Sequence, residues 1–412
     1  MSPRLAHERT IVVGVKRTQD RTHDLHDSLK ELTLLIHAAG GAVVHTTWQE
    51  LHSVSSATLI GKGKVQEIAE AIETHGAQLV AIDEELSPTQ NRNLEKEWGV
   101  RVVDRTAVIL DIFALRARTR EGKLQVELAQ LDYLAPRLVG RGEMMSQQAG
   151  RIGTRGPGET QLEYDRRAMR RRITILKQRI KEVRRHRTIH RRRREDVSLP
   201  LVSLMGYTNA GKSTLMNRLT RAGVLVEDQL FSTLDPTVRR MRLPSGREIL
   251  LADTVGFIKR LPHQLVAAFK ATFEEMAHAD LLIEVVDSAD PDYEGRIKVV
   301  EELLAELELA DRPRILVFNK SDLGDYVPHG DETMSLSART GEGVERLIAR
   351  MEELLGAGFN HVTLKLSHEQ GDILSTLYRV GTVIRVRHYG RAVRVECALP
   401  EKYVGKYRAY IV

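Results

Sequence analysis

Along the first hundred residues, short β-branched runs alternate with stretches of helical period: IVVGV at 11–15, AVVHT at 42–46, LVAID at 79–83 and VRVVD at 100–104. Near-continuous apolar runs of this length read as strands buried on both faces, so the pattern predicts repeated βα units. Between the runs, DLHDSLKELTLLIHAAG ends in a glycine cap. SPTQNRNLEKEWG opens with Ser87, Pro88 and Gln90, a capping box with proline at the first helical position. The expectation is an N-terminal parallel-sheet α/β domain over residues 1–108. From Ala107 to Leu138 the period becomes that of one long helix. A second follows at 165–195, where Met169, Ile173, Leu176, Ile180 and Val183 step by four and three, the seam of a helix packed on another. Residues 109–196 therefore predict a long helical hairpin. From Val197 strands and helices alternate again to about Leu355, predicting a doubly wound domain over 197–357. The remainder, 358–412, reads strand, helix, hairpin, a small α+β domain. Its VIRVRHYGRAVRVE alternates apolar and basic positions across a Tyr389-Gly390 turn, and taken alone the basic face reads as a solvated sheet surface.

Charge changes the picture at the second hairpin helix. The 412 residues carry a net charge of +6, yet Arg166 to Arg194 alone holds fifteen Lys or Arg against one acid, Glu182. The rest of the chain is therefore net acidic. A solvated, salt-bridged helix would interleave acids, and here almost none exist, so a polyanion is the expected partner, with RNA the first choice. The connection GRGEMMSQQAGRIGTRGPGETQLEYD carries six glycines with Arg141, Arg151 and Arg155. Its glycine spacing fits neither a phosphate loop nor a dinucleotide fingerprint. Two readings stay open: disorder alone, or a basic finger that probes RNA. One cysteine, Cys397, excludes an internal disulfide framework, and MSPRLAHERT lacks the apolar stretch of a secretion signal. A cytoplasmic protein is expected. No apolar run approaches the roughly 18 residues of a membrane span, which leaves at most peripheral membrane association and no stable insertion.

The candidate chemistry starts at GYTNAGKST. Gly206, Tyr207, Thr208, Asn209, Ala210, Gly211, Lys212, Ser213 and Thr214 match G-x-x-x-x-G-K-[ST], preceded by the apolar run at 201–204 and followed by Leu215 and Leu219 at helical spacing. That is the strand and helix a phosphate loop requires. The glycines let the backbone wrap phosphates, Lys212 can reach the β/γ oxygens, and the Ser213 hydroxyl can hold Mg²⁺. Downstream come Phe231, Ser232, Thr233, Leu234 and Asp235 in FSTLDPT, then Asp253, Thr254, Val255 and Gly256 in DTVGF. Asp253 can orient a Mg²⁺-bound water, the Gly256 amide can sense the γ-phosphate, and Thr233 can complete the Mg²⁺ shell, with Thr237 a weaker candidate. The catalytic expectation thus falls on Lys212, Thr233 and Gly256. After the strand RILVF, Asn319, Lys320, Ser321 and Asp322 end in a carboxylate that can accept two hydrogen bonds from guanine N1 and its exocyclic amine; adenine lacks that donor pair. Asn319 would brace this site, and the Lys320 stem can cover the base. Ser337, Ala338 and Arg339 would close it with backbone N–H groups toward the guanine O6.

Taken together, these motifs resemble the HflX GTPases of the Obg-HflX group, and the similarity covers nearly the whole chain. Its more specific parts are RGPGETQLEYDRR at 155–167, LFSTLDPTVRR, and DTVGFIKRLPHQLVAAFKATFEE. The resemblance implies a cytoplasmic GTPase that takes GTP and GDP with Mg²⁺, binds the large ribosomal subunit, and splits or rescues ribosomes under stress; a monomer is expected. It gives the basic hairpin a natural partner in ribosomal RNA. The residue after Gly256, where small GTPases resembling Ras carry a water-positioning glutamine, is Phe257, so slow intrinsic turnover stimulated by ribosomes is expected. Phe257 is open to two roles, packing under the loop or gating on the ribosome. Asn209 stands where some related GTPases use asparagine to hold K⁺, which makes potassium an auxiliary candidate. The rivals are a GTPase of ribosome assembly or RNA modification, and a non-hydrolysing scaffold that nucleotide merely rigidifies.

Overall fold

The computed structural model describes residues 8–18, 22–137, 157–195, 199–220, 230–231, 237–259, 276–324, 333–356, 359–390 and 392–412. They fall into two compact units, one built from 1–183 with 228–234 and 259–270, the other from the remainder.

In the first unit, β1 (Arg9–Arg17), β2 (Ala42–Leu51), β3 (Leu79–Ile82) and β4 (Arg101–Asp104) form a sheet in the order β2-β1-β3-β4, parallel at every pairing. Helices α1 (Thr22–Ala38), α2 (Lys62–His75) and α3 (Pro88–Trp98) supply the crossovers. The apolar runs do what runs of that length require: Ile11, Val13, Val80 and Ile82 are fully buried. The capping box forms as the sequence predicts, with Gln90 N–H donating to Ser87 Oγ at 3.2 Å and Ser87 N–H to Gln90 Oε1 at 3.0 Å. The single long helix expected from 107 to 138 is instead two, α4 (Arg105–Arg116) and α5 (Arg120–Leu134). Ala117 is extended, and the Thr119 side chain accepts from Gly122 N–H, starting a new helix where neither glycine nor proline marks a break. Helix α6 (Pro157–Glu195) runs 39 residues, of which those up to Val183 belong to this unit. Leu176 and Ile180 pack with Leu124 of α5, flanked by Leu128, Leu131 and Val183, so the predicted seam is the contact that makes the hairpin. Arg172 adds a fork to Glu127, at 2.6 and 2.8 Å. Beneath the sheet's carboxyl end, Arg105 is buried and charge-paired with Asp83 at 2.8 Å and with Glu31. Phe231 also belongs to this unit, its ring edge-on to Phe113 with centroids 4.8 Å apart. The glycine-rich connection, apart from Pro157 onward, lies outside the described residues.

The second unit contains two sheets. In the larger, β5 (Leu201–Met205), β6 (Thr237–Arg242), β7 (Glu248–Asp253), β8 (Leu281–Asp287), β9 (Arg314–Asn319) and β10 (Thr333–Ser335) take the order β10-β9-β8-β5-β7-β6. Only β6 runs antiparallel to its neighbour. Helices α7 (Lys212–Thr220), α8 (Tyr293–Glu306) and α9 (Val344–Gly356) complete a doubly wound domain whose core holds Val202, Leu204, Ile283, Val317 and Leu347. The smaller sheet is antiparallel, β11 (Phe359–Ser367), β12 (Thr382–Tyr389) and β13 (Ala392–Pro400) in the order β11-β13-β12. It is packed on one face by α10 (Gly371–Val380) and α11 (Glu401–Lys406). Among the described residues, no helix is long and apolar enough to cross a membrane.

Candidate nucleotide site

Strand β5 ends at Met205 and α7 begins at Lys212. Because β5 has β8 on one side and β7 on the other, the loop between them lies where the strand order reverses, the crevice in which open α/β sheets hold ligands. Glycine is required twice. Gly206 has φ 133°, and a Cβ there would stand 2.2 Å from the Val285 carbonyl oxygen; Gly211 has φ 92°, and its Cβ would meet Asn319 Nδ2 at 2.2 Å. Exposed Asn209 is left-handed too, at φ 62°, a region asparagine tolerates. Ala210 is buried at the loop's inner wall and Thr214 is half-buried in the first helical turn.

Lys212 is 6% exposed, and its ammonium donates to the carbonyls of Gly206 at 3.1 Å and Tyr207 at 2.7 Å. Burial pushes it down to about 8, against the pull of the Asp253 carboxylate. A desolvated cation in that state gains from an anion brought beside it. The Ser213 hydroxyl donates to Asp253 Oδ2 at 2.7 Å, so the end of β7 and the start of α7 present adjoining oxygens, the donor type a hard divalent cation takes.

Beyond Asp253 the chain crosses beneath the loop. Thr254 is fully buried and its hydroxyl donates to the Leu204 carbonyl at 2.7 Å, an anchor rather than a ligand contact; Val255 is buried beside it. At Gly256 a Cβ would come within 2.7 Å of Thr208 Cγ2 and 2.9 Å of Lys212 Nζ, so only glycine brings this amide up to the lysine. Phe257 N–H donates to the Gly206 carbonyl at 3.1 Å and Phe257 O accepts from Thr208 N–H at 2.8 Å, a parallel bridge between the two segments. The Phe257 ring is 2% exposed, which supports packing over gating.

On the base side, Asn319 spans three segments. Its Nδ2 donates to the Ala210 carbonyl at 2.8 Å, while its Oδ1 accepts from Ala338 N–H at 2.8 Å, tying the phosphate loop to the closing loop. Lys320 is left-handed at φ 66°, and its ammonium pairs with Asp287 Oδ2 at 2.6 Å. Asp322 accepts from the Ser337 hydroxyl at 2.6 Å and lies 3.3 Å from Arg339 Nε. The Ser337 hydrogen bond, then a backbone hydrogen bond and these cations, hold its carboxyl below the ordinary carboxylate range, so it stays an acceptor. Ser321 is half-buried behind it. The closing loop differs from expectation in one respect: Ser337 N–H is engaged by the Glu342 carbonyl and Ala338 N–H by Asn319, so an O6 contact from Ala338 has to be shared.

The loop, Asp253, Gly256 and the 319–322 and 337–339 segments converge as the sequence predicts. Phe231 sits in the first unit, and Ser232, Thr233, Leu234 and Asp235 lie outside the described residues. Sequence reasoning missed three braces: Asp287 on Lys320, Arg218 Nε donating to the Ala338 carbonyl at 3.1 Å, and the Arg296 guanidinium 4.4 Å from the Tyr207 ring centroid. Asp287 ends the buried run LLIEVVD and was detectable as a strand-end carboxylate; the two arginines carry no local signal.

A phosphate loop at the switch point, a serine–carboxylate pair beside its lysine and a carboxylate-tipped base cradle define a guanine-nucleotide-binding P-loop protein. Residues 201–320 match the family described as 50S ribosome-binding GTPase, 26–114 the GTP-binding GTPase N-terminal family, and 116–194 the GTP-binding GTPase Middle Region. The chain is 45% identical to the GTPase HflX of Caldanaerobacter subterraneus subsp. tengcongensis, over 98% of this chain and 94% of that protein. It is also 45% identical to the GTPase HflX of Escherichia coli K12, over 92% and 90%. The chain belongs to the HflX family of GTPases and hydrolyses GTP. Among solved structures, a GTP-binding protein from Sulfolobus solfataricus in complex with GDP is 24% identical, covers 84% of this chain and 98% of that one, and superposes with a TM-score of 0.44.

Proposed function

We propose that this GTPase binds the large ribosomal subunit through RNA contacts of its helical hairpin and uses the nucleotide cycle to split or rescue ribosomes under stress, as a monomer in the cytoplasm. The observation that carries the reading is the construction of α6. One seam, Leu176 and Ile180, is buried against α5, while Arg170, Arg171, Lys177, Arg179 and Lys181 are exposed around it. A polyanion repays what such a like-charged surface costs.

At the nucleotide, Ser213 and Thr233 would hold Mg²⁺, whose part is to neutralise charge on the β/γ oxygens. Lys212 would exchange its two carbonyl partners for phosphate oxygens. The Gly256 amide would meet the γ-phosphate, and Asp253 would accept from a water in the cation's shell. Asn209, exposed beside the loop, would take K⁺ if a second cation is used. Asp322 would select guanine, braced through Ser337, with Asn319 setting the loop spacing. The position after Gly256 offers a buried phenylalanine and no polar side chain to aim water, so unassisted turnover is slow. Outside help is not needed to bind GTP, only to hydrolyse it faster, and the large subunit is the natural source.

Sedimentation of intact ribosomes and of purified subunits with GTP, GDP and a non-hydrolysable analogue tests this. Co-sedimentation with large subunits in the GTP form, with intact ribosomes separating into subunits, is expected. Glutamine at 191–194 should weaken the association and flatten its salt dependence, because fewer counterions are released. Binding confined to immature subunits would favour assembly instead, and no co-sedimentation in any nucleotide state would overturn the ribosomal reading.

A further inference from the structure

The small C-terminal sheet has two unlike faces. On one, Leu364, Leu366, Val393 and Val395 are buried under Leu377, Val380 and Tyr407. On the other, the register places Lys365 opposite Arg394 and Arg394 opposite Arg387, all three exposed, one from each strand. Adjacent strands lie about 4.8 Å apart, so the three cations cross the sheet in a row of about 10 Å. Like charges set directly opposite one another destabilise a sheet. The neighbouring row shows the usual remedy, Arg385 facing Glu396, whereas the Lys365–Arg394–Arg387 row has no acid of its own and draws only on Glu396 of the next row, which acts on Arg387. On the far side of that row stand Ser367, Ala392 and Tyr389, two small residues and an aromatic ring 52% exposed. The Tyr389 hydroxyl lies 3.5 Å from Arg387 Nη1, so ring and cation adjoin.

A row of cations without an acid among them, beside an aromatic platform with low neighbours, is the pairing that holds a phosphate backbone while a base stacks. We propose that this sheet face is a second RNA-binding surface, taking an unpaired stretch of RNA with its phosphates along Lys365, Arg394 and Arg387 and a base on Tyr389. The sequence hairpin alone shows only two of the three strands; Lys365 joins the row through β11. The source of the RNA rests on the ribosomal reading above, but the chemistry of the face does not.

The test uses the full chain and a labelled single-stranded oligouridylate, titrated at several KCl concentrations. The variant Lys365→Gln/Arg387→Gln/Arg394→Gln should bind about a hundredfold more weakly near ~0.1 M KCl, with the slope of log affinity against log salt shallower by about 2, as three lost phosphate contacts require. Arg387→Lys/Arg394→Lys should keep the slope. Tyr389→Leu should weaken single-stranded RNA by roughly tenfold and leave duplex RNA unchanged. Relief of like-charge repulsion predicts a melting temperature for the glutamine variant equal to or above wild type, which excludes misfolding. Unchanged affinity and slope overturn the proposal. So does a loss confined to phosphatidylserine-containing vesicles, which would make the face a membrane contact. Large subunits tested in parallel separate the two readings. If glutamine at 191–194 abolishes subunit binding and the sheet variant changes nothing, this inference falls alone. If wild type binds no subunits in any nucleotide state while the sheet variant loses oligouridylate, the ribosomal reading falls and this surface stands.

Discussion

At the scale of single residues, the proposed base selection rests on the two carboxylate oxygens of Asp322. Replacing it with asparagine turns one acceptor into a donor, so Asp322→Asn should weaken GTP while xanthosine triphosphate gains. A competition titration measures both, and unchanged guanine selectivity would remove Asp322 from the base site. Phe257 is a different case, since its ring is buried and its backbone bridges Gly206 and Thr208. Phe257→Ala leaves a cavity under the phosphate loop, at a cost of about 3–5 kcal/mol. Thermal stability and GTP affinity should fall together in this variant. Retention of both, with only ribosome stimulation lost, would reinstate the gating role. The contiguous motifs were legible because their chemistry lies within a few residues: the glycines, Lys212, Ser213 and the 319–322 run. Arg218 was not, because the Ala338 carbonyl it braces is 120 positions away and only the folded sheet joins them.

At the scale of elements, β8 carries a buried carboxyl in the middle of the larger sheet. Glu284 is fully buried, with Arg314 of β9 at 2.9 Å, and burial pushes its carboxyl up to about 7 against that arginine's pull. The folded chain therefore keeps a proton between about 4.5 and 7 that the unfolded chain has lost. Glu284's contribution is favourable below that window and declines as pH rises through it. Glu284→Gln removes the titration while keeping the shape, and Arg314, with Glu301 at 3.4 Å, retains a partner. Relative to wild type, the variant should gain on the order of 3 kcal/mol between pH 5 and pH 8, taking about 1.4 kcal/mol per pKa unit. Thermal melts at the two pH values check it; parallel pH dependences would show that Glu284 does not titrate there. Elements were readable wherever period and punctuation agreed, as in α3 with its capping box. The break between α4 and α5 was not, since Ala117 and Thr119 interrupt the backbone without interrupting the apolar period, and threonine caps carry little signal inside a helical pattern.

At the scale of the whole molecule, the catalytic parts are unevenly supplied. Lys212 and the serine–carboxylate pair stand at the phosphate loop, whereas the residue following Gly256 is a buried phenylalanine with no polar side-chain atom to offer an attacking water. Charge neutralisation without water positioning is expected to leave the free enzyme slow, and other GTPases recover roughly 10³ to 10⁵ in rate when a partner completes the geometry. If the proposed association holds, purified large subunits should raise the turnover of this chain by orders of magnitude, with the effect weakening as salt rises, because arginine–phosphate contacts would lead that association. Phosphate release under multiple-turnover conditions, with and without large subunits and across a KCl series, measures both features. Replacing KCl with NaCl at fixed ionic strength separates screening from any specific use of K⁺ at Asn209: screening affects both salts alike, while a potassium site slows turnover in sodium even without subunits. Equal turnover with and without large subunits at low salt would mean that the missing geometry is supplied from within the chain, and the ribosome-activated reading would be wrong.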